Sequence, residues 1–320
     1  MIRLALTVCL LLITKIAFAD GPVTAPTKRL DIEFPAISEM SGVAKSRTYD
    51  DVYWIHNDSG DTARLFAVNG QGRVIIPKFL QGDFYGEVPV AGEKPWPGIS
   101  ILNADNVDWE DIAIDGDTLY IADMGNNGNA RRDLGVYVVA EPNPYQTERT
   151  RALKFIPIRY PDQSQYPAKV WHFDSEALFV WRHQLYFLTK HRKPGKIAEW
   201  EKGTKLYRLD SMDTDKVNVL KEVDSNDDLF IVTAADLSPD QKHLAVLCYT
   251  GLWIFDKPKH GDEWLSGTAH MMPLALSQTK QAEAVTFTDN DTILLGNEEG
   301  EWYTVKVDDV PPYLPPQSDK

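Results

Sequence analysis

Cysteine is almost missing from this 320-residue chain, with only Cys9 and Cys248 present. Cys9 falls in an N-terminal leader, so Cys248 stands alone and no internal disulfide can form. Stability must then come from a large apolar core, which a chain of this length can build. Cys248 itself lies in the apolar run LAVLCYTG and reads as a packing residue. Membrane-spanning runs are missing as well: the apolar stretch from Leu4 to Ile13, followed by Lys15, is too short to cross a bilayer as a helix. Basic residues are scarce, 33 Lys and Arg against 47 Asp and Glu. A net charge of −14 repels phosphate backbones and anionic lipid, which argues against nucleic acid and makes a cation the natural partner. No window combines a sustained helical period with a capping signal, so helical fold classes are excluded. Nor is there a Cys/His cluster of the kind that binds zinc.

What is present begins with a leader. Arg3, the apolar stretch and Ala17-Phe18-Ala19 before Asp20 form a signal peptide over residues 1–19, cleaved after Ala19. Its removal takes away Arg3 and Lys15 but no acid, so the charge falls to −16. The sequence therefore predicts an exported, periplasmic or secreted protein.

The remainder is written in strands. DVYWIHN, RLFAVN, TLYIADM, GVYVVAE, QLYFLTK, HLAVLCYT, GLWIFD, TILLGNE and EWYTVKV are rich in β-branched and aromatic residues and bounded by turn chemistry such as NGQG, DGDT and SPDQ. Five acid-led strands recur, SEMSGVAKS, DWEDIAID, DSEALFVW, TAADLSPD and QAEAVTFT, each followed by further strands, at intervals shrinking from 71 to 47 residues. Such a repeat predicts an all-β propeller over residues 20–310, five blades in one domain, with six as the alternative if the long first interval hides another. Residues 311–320 form a proline-rich tail. The last repeat has room for three strands, and the orphan strand RLDIEF near the N-terminus is expected to pair with it and close the ring. GDFYGEVPVAGEKPWPGIS and KHRKPGKIAEWEKGT read as inserted loops, the second one basic.

Taken in order, SGVAKS…HNDSGD, DWEDIAID…IADMGNN, DSEAL…LTKH, TAADLSPD…CYTGLWIFD and QAEAVTF resemble a family of exported bacterial propellers related to the "esterase-like activity of phytase" and phytase-like propellers. The resemblance spans residues 36 to 305. It implies the propeller fold and an exported location. The fuller set of calcium- and phosphate-binding motifs of β-propeller phytases is not found here.

Closing the ring would bring Glu39, Glu110, Glu176, Asp236 and Glu283 to one end of the channel as candidate metal ligands. Carboxylates about 8 Å apart repel by roughly 2 kcal/mol at an effective dielectric near 20. A bound cation, raised carboxyl pKa values or nearby donors would relieve this. Oxygen ligands favour calcium or magnesium. The same acids can instead accept backbone hydrogen bonds from the next blade, a structural role that fits their regularity. The second ring is irregular and better suited to a ligand: His56, Asn57 and Asp58; Asp123 with Asn126 and Asn127; Lys190 and His191; Tyr249; Asn297 and Glu298. Here Lys190 either meets an anionic ligand or neutralises the acids. NDSGD is either part of the site or only an Asx turn, and the histidines are either ligands or locally hydrogen-bonded. Trp109 either floors a pocket or plugs the channel. Ser59 has no G-x-S-x-G context, so a serine hydrolase is not indicated.

Two functions follow. One is a channel-mouth site for a small molecule, with calcium or magnesium polarising a phosphoryl or carbonyl oxygen and Glu110 or Asp123 orienting water. The other is a non-enzymatic scaffold that binds a ligand or an envelope protein.

Overall fold

The computed structural model describes residues 25–80, 85–86 and 94–315. The leader, Cys9 and most of the Pro/Gly-rich insertion lie outside the described residues. Alternating apolar residues bounded by tight turns fold the chain into antiparallel four-stranded meanders. The first meander holds Met40–Lys45, Val52–Asn57, Arg64–Asn69 and Ile99–Leu102. The second holds Asp111–Asp115, Thr118–Asp123, Gly135–Ala140 and Arg149–Arg159, and its outer strand pairs in parallel with that of the first. The third holds Trp171–Trp181, Gln184–Lys193, Lys202–Arg208 and Lys221–Phe230. The fourth holds Val232–Leu237, His243–Cys248, Gly251–Asp256 and Ala269–Pro273.

The last meander takes Ala282–Phe287, Thr292–Asn297 and Glu301–Lys306 from the C-terminal side of the chain, and its outer strand, Thr27–Asp31, from the N-terminal side. The innermost strands then close on themselves. Met40–Lys45 packs beside Asp111–Asp115, then follow Trp171–Trp181, Val232–Leu237 and Ala282–Phe287, which returns to Met40–Lys45. Apolar side chains fill the spaces between neighbouring sheets. One cluster, with Trp54, Trp109 and Trp302, joins the last, first and second sheets. Others lie between the second and third, the third and fourth, and the fourth and last. This radial packing of sheets about a common axis makes the protein an all-β propeller.

Some local expectations change. The basic segment after Gln184–Lys193 is a hairpin rather than a loop: Lys196–Trp200 folds back on that strand through Gly195, whose φ of +77° suits glycine. Trp109 neither floors a pocket nor plugs the channel. It is fully buried between the first two sheets, against His56 and Tyr137. Cys248 is a buried free thiol, its pKa pushed up to about 12 by burial. No helix among the described residues is long and apolar enough to cross a membrane.

Candidate functional site

Strand register decides which side chains reach the axis. In four inner strands the pairing slips by a residue, at Ser41, Glu176, Thr233 and Glu283, with a further slip between Trp171 and Asp174 in the third sheet. Glu110 takes the matching place in the second sheet, its N–H bonded to the Ala122 carbonyl at 3.0 Å. Such an extra residue re-aims a side chain out of the regular pleat. The hydroxyl members tie sheets together: Ser41 Oγ donates to the Glu110 carbonyl at 2.7 Å and Thr233 Oγ1 to the Ala282 carbonyl at 2.8 Å. The three glutamates line a cavity.

The five-carboxylate ring therefore does not assemble. Glu39 lies two residues before Ser41, is exposed, and is not among the cavity-lining residues. Asp236 lies three residues after Thr233 and latches the last sheet, accepting from Phe287 N at 2.8 Å and Thr286 Oγ1 at 2.9 Å. Asp111, which the acid-led pattern passed over, makes the same kind of latch. It accepts from Leu178 N at 2.8 Å and Ala235 N at 3.2 Å, in two different sheets.

The ends of the second strands supply the other wall. Asp58, Tyr249 and Glu298 lie just beyond these strands, Lys190 takes the corresponding place inside the longer Gln184–Lys193 strand, and all four line the cavity. The residue before each points the other way, into the sheet. Asn57 there donates to the Ala36 carbonyl and to Asp61 and accepts from Ser38 N at 3.2 Å, so its side chain serves local structure. Asp123 pairs with Arg131 at 2.8 Å and accepts from Asp108 N at 3.2 Å, which holds the Asp108 segment in place. Asn126 is buried beneath the site, donating from its backbone to Asp174 Oδ1 at 2.6 Å. Neither histidine lines the cavity. His56 is buried against Trp109 and Gly42, and burial lowers its pKa to about 4. His191 stacks on His172 at 3.8 Å and bonds Thr189, with burial first and His172 second lowering its pKa to about 3.

The cavity holds about 170 Å³ and is lined by Asp58, Glu110, Asn127, Glu176, Lys190, Arg192, Tyr249, Glu283 and Glu298. That is about the bulk volume of five or six waters, room for an ion and a small polar group. Five carboxylates face two cations there, and both cations are already engaged. Lys190 Nζ lies 2.6 Å from Glu176; Arg192 Nε lies 3.0 Å from Asp174, and its Nη2 donates to Asn127 Oδ1. Burial opposes the charge on Lys190, but Glu176 and then Glu283 outweigh it and raise its pKa.

What remains uncompensated is the group Asp58, Asp108 and Glu110, whose oxygens lie within 4.8 Å of one another. Two ionised carboxylates at 4.8 Å repel by about 3 kcal/mol at an effective dielectric near 20. Among the described residues nothing donates a hydrogen bond to the carboxylates of Asp108 or Glu110, although Glu110 is only 5% exposed. Burial, then Glu176 and Asp58, raises the Glu110 pKa well above the ordinary carboxylate value. Burial and then Asp58 push Asp108 up to about 7, and burial also raises Asp58. Gly125 makes this grouping possible: a Cβ there would come within 2.5 Å of both the Asp108 and Glu110 carboxylates.

Asp108, Asp174 and Arg192 escaped the sequence reading. A signal for the two acids was present, because Asp108-x-Glu110 and Asp174-x-Glu176 repeat one D-x-E spacing in successive repeats.

Solved structures similar to this chain include a gluconolactonase from Xanthomonas campestris, at 10% identity over 92% of this chain and 99% of that one, with a TM-score of 0.42. A luciferin-regenerating enzyme matches at 10% identity over 88% and 80%, TM-score 0.41. The WD40 domain of Pan2 from Neurospora crassa matches at 10% identity over 84% and 90%, TM-score 0.40. No protein-family profile matches the chain, and no curated protein matches it either. A phytase-like relationship has no counterpart among these matches.

Proposed function

We propose that the protein is an exported five-bladed propeller whose channel mouth holds a divalent cation on Asp58, Asp108 and Glu110 and hydrolyses a small phosphoester or ester beside it. The observation that carries this reading is the grouping of three carboxylates, two of them without a donor, of which Asp58 and Glu110 line a polar cavity. An all-oxygen donor set with no cysteine or histidine fits Ca²⁺ or Mg²⁺. Such an ion would polarise a phosphoryl or carbonyl oxygen. Asn127, Lys190 and Arg192 would orient the polar part of the substrate, and Asp123 would hold the Asp108 segment in position. Export rests on the leader over residues 1–19.

Metal analysis of the purified protein, with thermal melts in EDTA and then in Ca²⁺ or Mg²⁺, tests the reading. About one equivalent of bound ion and a melting temperature that rises on adding it are expected. Glu110→Gln and Asp108→Asn should each abolish that rise. No bound metal together with identical melts would sink the cation site. If the ion binds but no phosphoester, carboxyl ester or lactone is turned over, the protein is a cation-dependent ligand-binding module.

A further inference from the structure

Carboxylates alone do not fix what the cavity binds, because an organic ammonium group satisfies them as a metal ion does. Asn127 breaks the tie. This half-buried residue lines the cavity, and its Oδ1 accepts from Arg192 Nη2. A guanidinium has donors only, so the amide oxygen is the atom turned to it and the NH₂ group occupies the other branch. Among the described residues nothing accepts from that NH₂ group. The other lining donors are committed: Lys190 Nζ to Glu176 at 2.6 Å, Arg192 Nε to Asp174 at 3.0 Å, and Tyr249 Oη to Glu283 Oε1. Asn127 thus offers the cavity a neutral donor with no acceptor in the protein.

The amide is held from both sides. Arg192 Nη1 donates to the Ile197 carbonyl at 2.7 Å, which ties the guanidinium to the Lys196–Trp200 hairpin as well as to Asp174. The loop that carries Asn127 is pinned by its neighbours. Asn126 Nδ2 donates to the Phe173 carbonyl at 2.8 Å, and Asn126 Oδ1 accepts from Ala130 N at 2.8 Å and Arg131 N at 2.9 Å. Asn129 Oδ1 accepts from Phe173 N at 2.8 Å. A donor fixed in this way needs little reorganisation when a ligand arrives.

We propose that Asn127 Nδ2 donates to an acceptor oxygen of the bound ligand and so selects a phosphoryl or carboxyl compound over an amine, with Arg192 the positioning residue that turns the amide. The assignment rests on the cation-assisted reading above and names the protein contact that its substrate oxygen makes. An amine brings only donors to this place and leaves the amide N–H groups unpaired, which a site built around a donor rejects. Arg192 acts through Asn127, since its own N–H groups already serve Asp174, Ile197 and the Asn127 oxygen.

The test uses the full mature protein, with and without saturating Ca²⁺, and three probes: inorganic phosphate, acetate and methylammonium. In protein labelled with ¹⁵N at asparagine, the side-chain NH₂ resonance missing from Asn127→Ala identifies this amide. It should shift on titration with phosphate or acetate and stay in place with methylammonium. By calorimetry, Asn127→Ala should weaken phosphate about 10-fold or more. Arg192→Lys keeps the charge but not the fork, and should weaken phosphate in the wild-type background and cause no further loss in Asn127→Ala. Calcium bound with phosphate affinity indifferent to Asn127→Ala overturns the assignment and leaves the cation site standing. No calcium bound sinks the cation reading, and the phosphate titration without calcium then decides Asn127 alone. Failure of both phosphate and acetate to bind the wild-type protein, or a response of the amide to methylammonium instead, overturns the proposal. Equal losses from Arg192→Lys in both backgrounds overturn the positioning role.

Discussion

Glu110 is the residue at which the physical conflict of the site is greatest. Its carboxyl is buried, lacks a donor and is surrounded by Glu176, Asp58, Asp108 and Asp174. Replacing it by the neutral isostere removes repulsion that only a cation or a proton can otherwise relieve. Glu110→Gln should therefore raise the melting temperature of the metal-free protein at neutral pH, which differential scanning calorimetry in EDTA would measure. A fall instead would mean that Glu110 already has a stabilising partner. Asp108 makes a related prediction about pH. Its folded pKa of about 7 lies above its ordinary 3.8, so the native state binds the extra proton between these values. The stability it contributes is present below about pH 4 and is lost as pH rises through about 7. His56 acts in the opposite sense. Its folded pKa of about 4 lies below the ordinary 6.5, and its contribution is lost as pH falls from 6.5 toward 4. Comparison with Asp108→Asn separates the two. Melts of the metal-free proteins should show the variant gaining on the wild type between about pH 5 and about pH 7.5. Parallel curves would refute the raised pKa.

Single elements show how a carboxylate can be structural in one position and available for chemistry one residue away. Glu110 faces the cavity, whereas Asp111 turns into the ring, where Leu178 N, Ala235 N and Ile112 N donate to it. Asp111→Ala would leave the amides of two other sheets without an acceptor. Buried donors left unpaired cost about 1–3 kcal/mol each, so a loss of roughly 3 kcal/mol in chemical denaturation is expected. An unchanged midpoint would show that water replaces the carboxylate. The repeat itself was legible from alternating apolar strands and turn residues, as were Glu110, Glu176, Glu283 and the irregular line of Asp58, Lys190, Tyr249 and Glu298. What sequence alone could not give is register. Aligning repeats on their acids selected Glu39 and Asp236, because the equivalent residues, Ser41 and Thr233, carry no charge to attract notice. Only the one-residue slips in strand pairing identify those hydroxyls as the matching positions. His191 misled for a related reason: it follows the cavity-lining Lys190 by one residue and so turns to the other face of the strand. His56, two residues before Asp58, lies deeper and is buried against Trp109.

For the whole molecule, the decisive contact is the one made between the two ends of the chain. Thr27–Asp31 completes the last sheet by pairing antiparallel with Glu301–Lys306, and Lys28 Nζ reaches Glu301 Oε1 at 2.7 Å. That ion pair is exposed and contributes little. The stronger anchors follow the strand, where Ile32, Phe34 and Ile37 are buried in the cluster shared by the last, first and second sheets. Burial of such side chains is worth about 1.5–3 kcal/mol each. A chain beginning at Pro35 would lose Ile32 and Phe34 and leave the Glu301–Lys306 strand as an open edge. For a protein of this size that should lower the melting temperature by roughly 10 °C. The bared edge should also produce dimers or larger species, because unpaired strand groups recruit other chains. Calorimetry and light scattering on the two forms would measure both effects. Adding residues 25–34 back as a peptide should restore the melt and return the population to monomer. If the shortened chain stays monomeric with an unchanged melt, closure by the N-terminal strand contributes nothing, and the packing between sheets holds the ring alone.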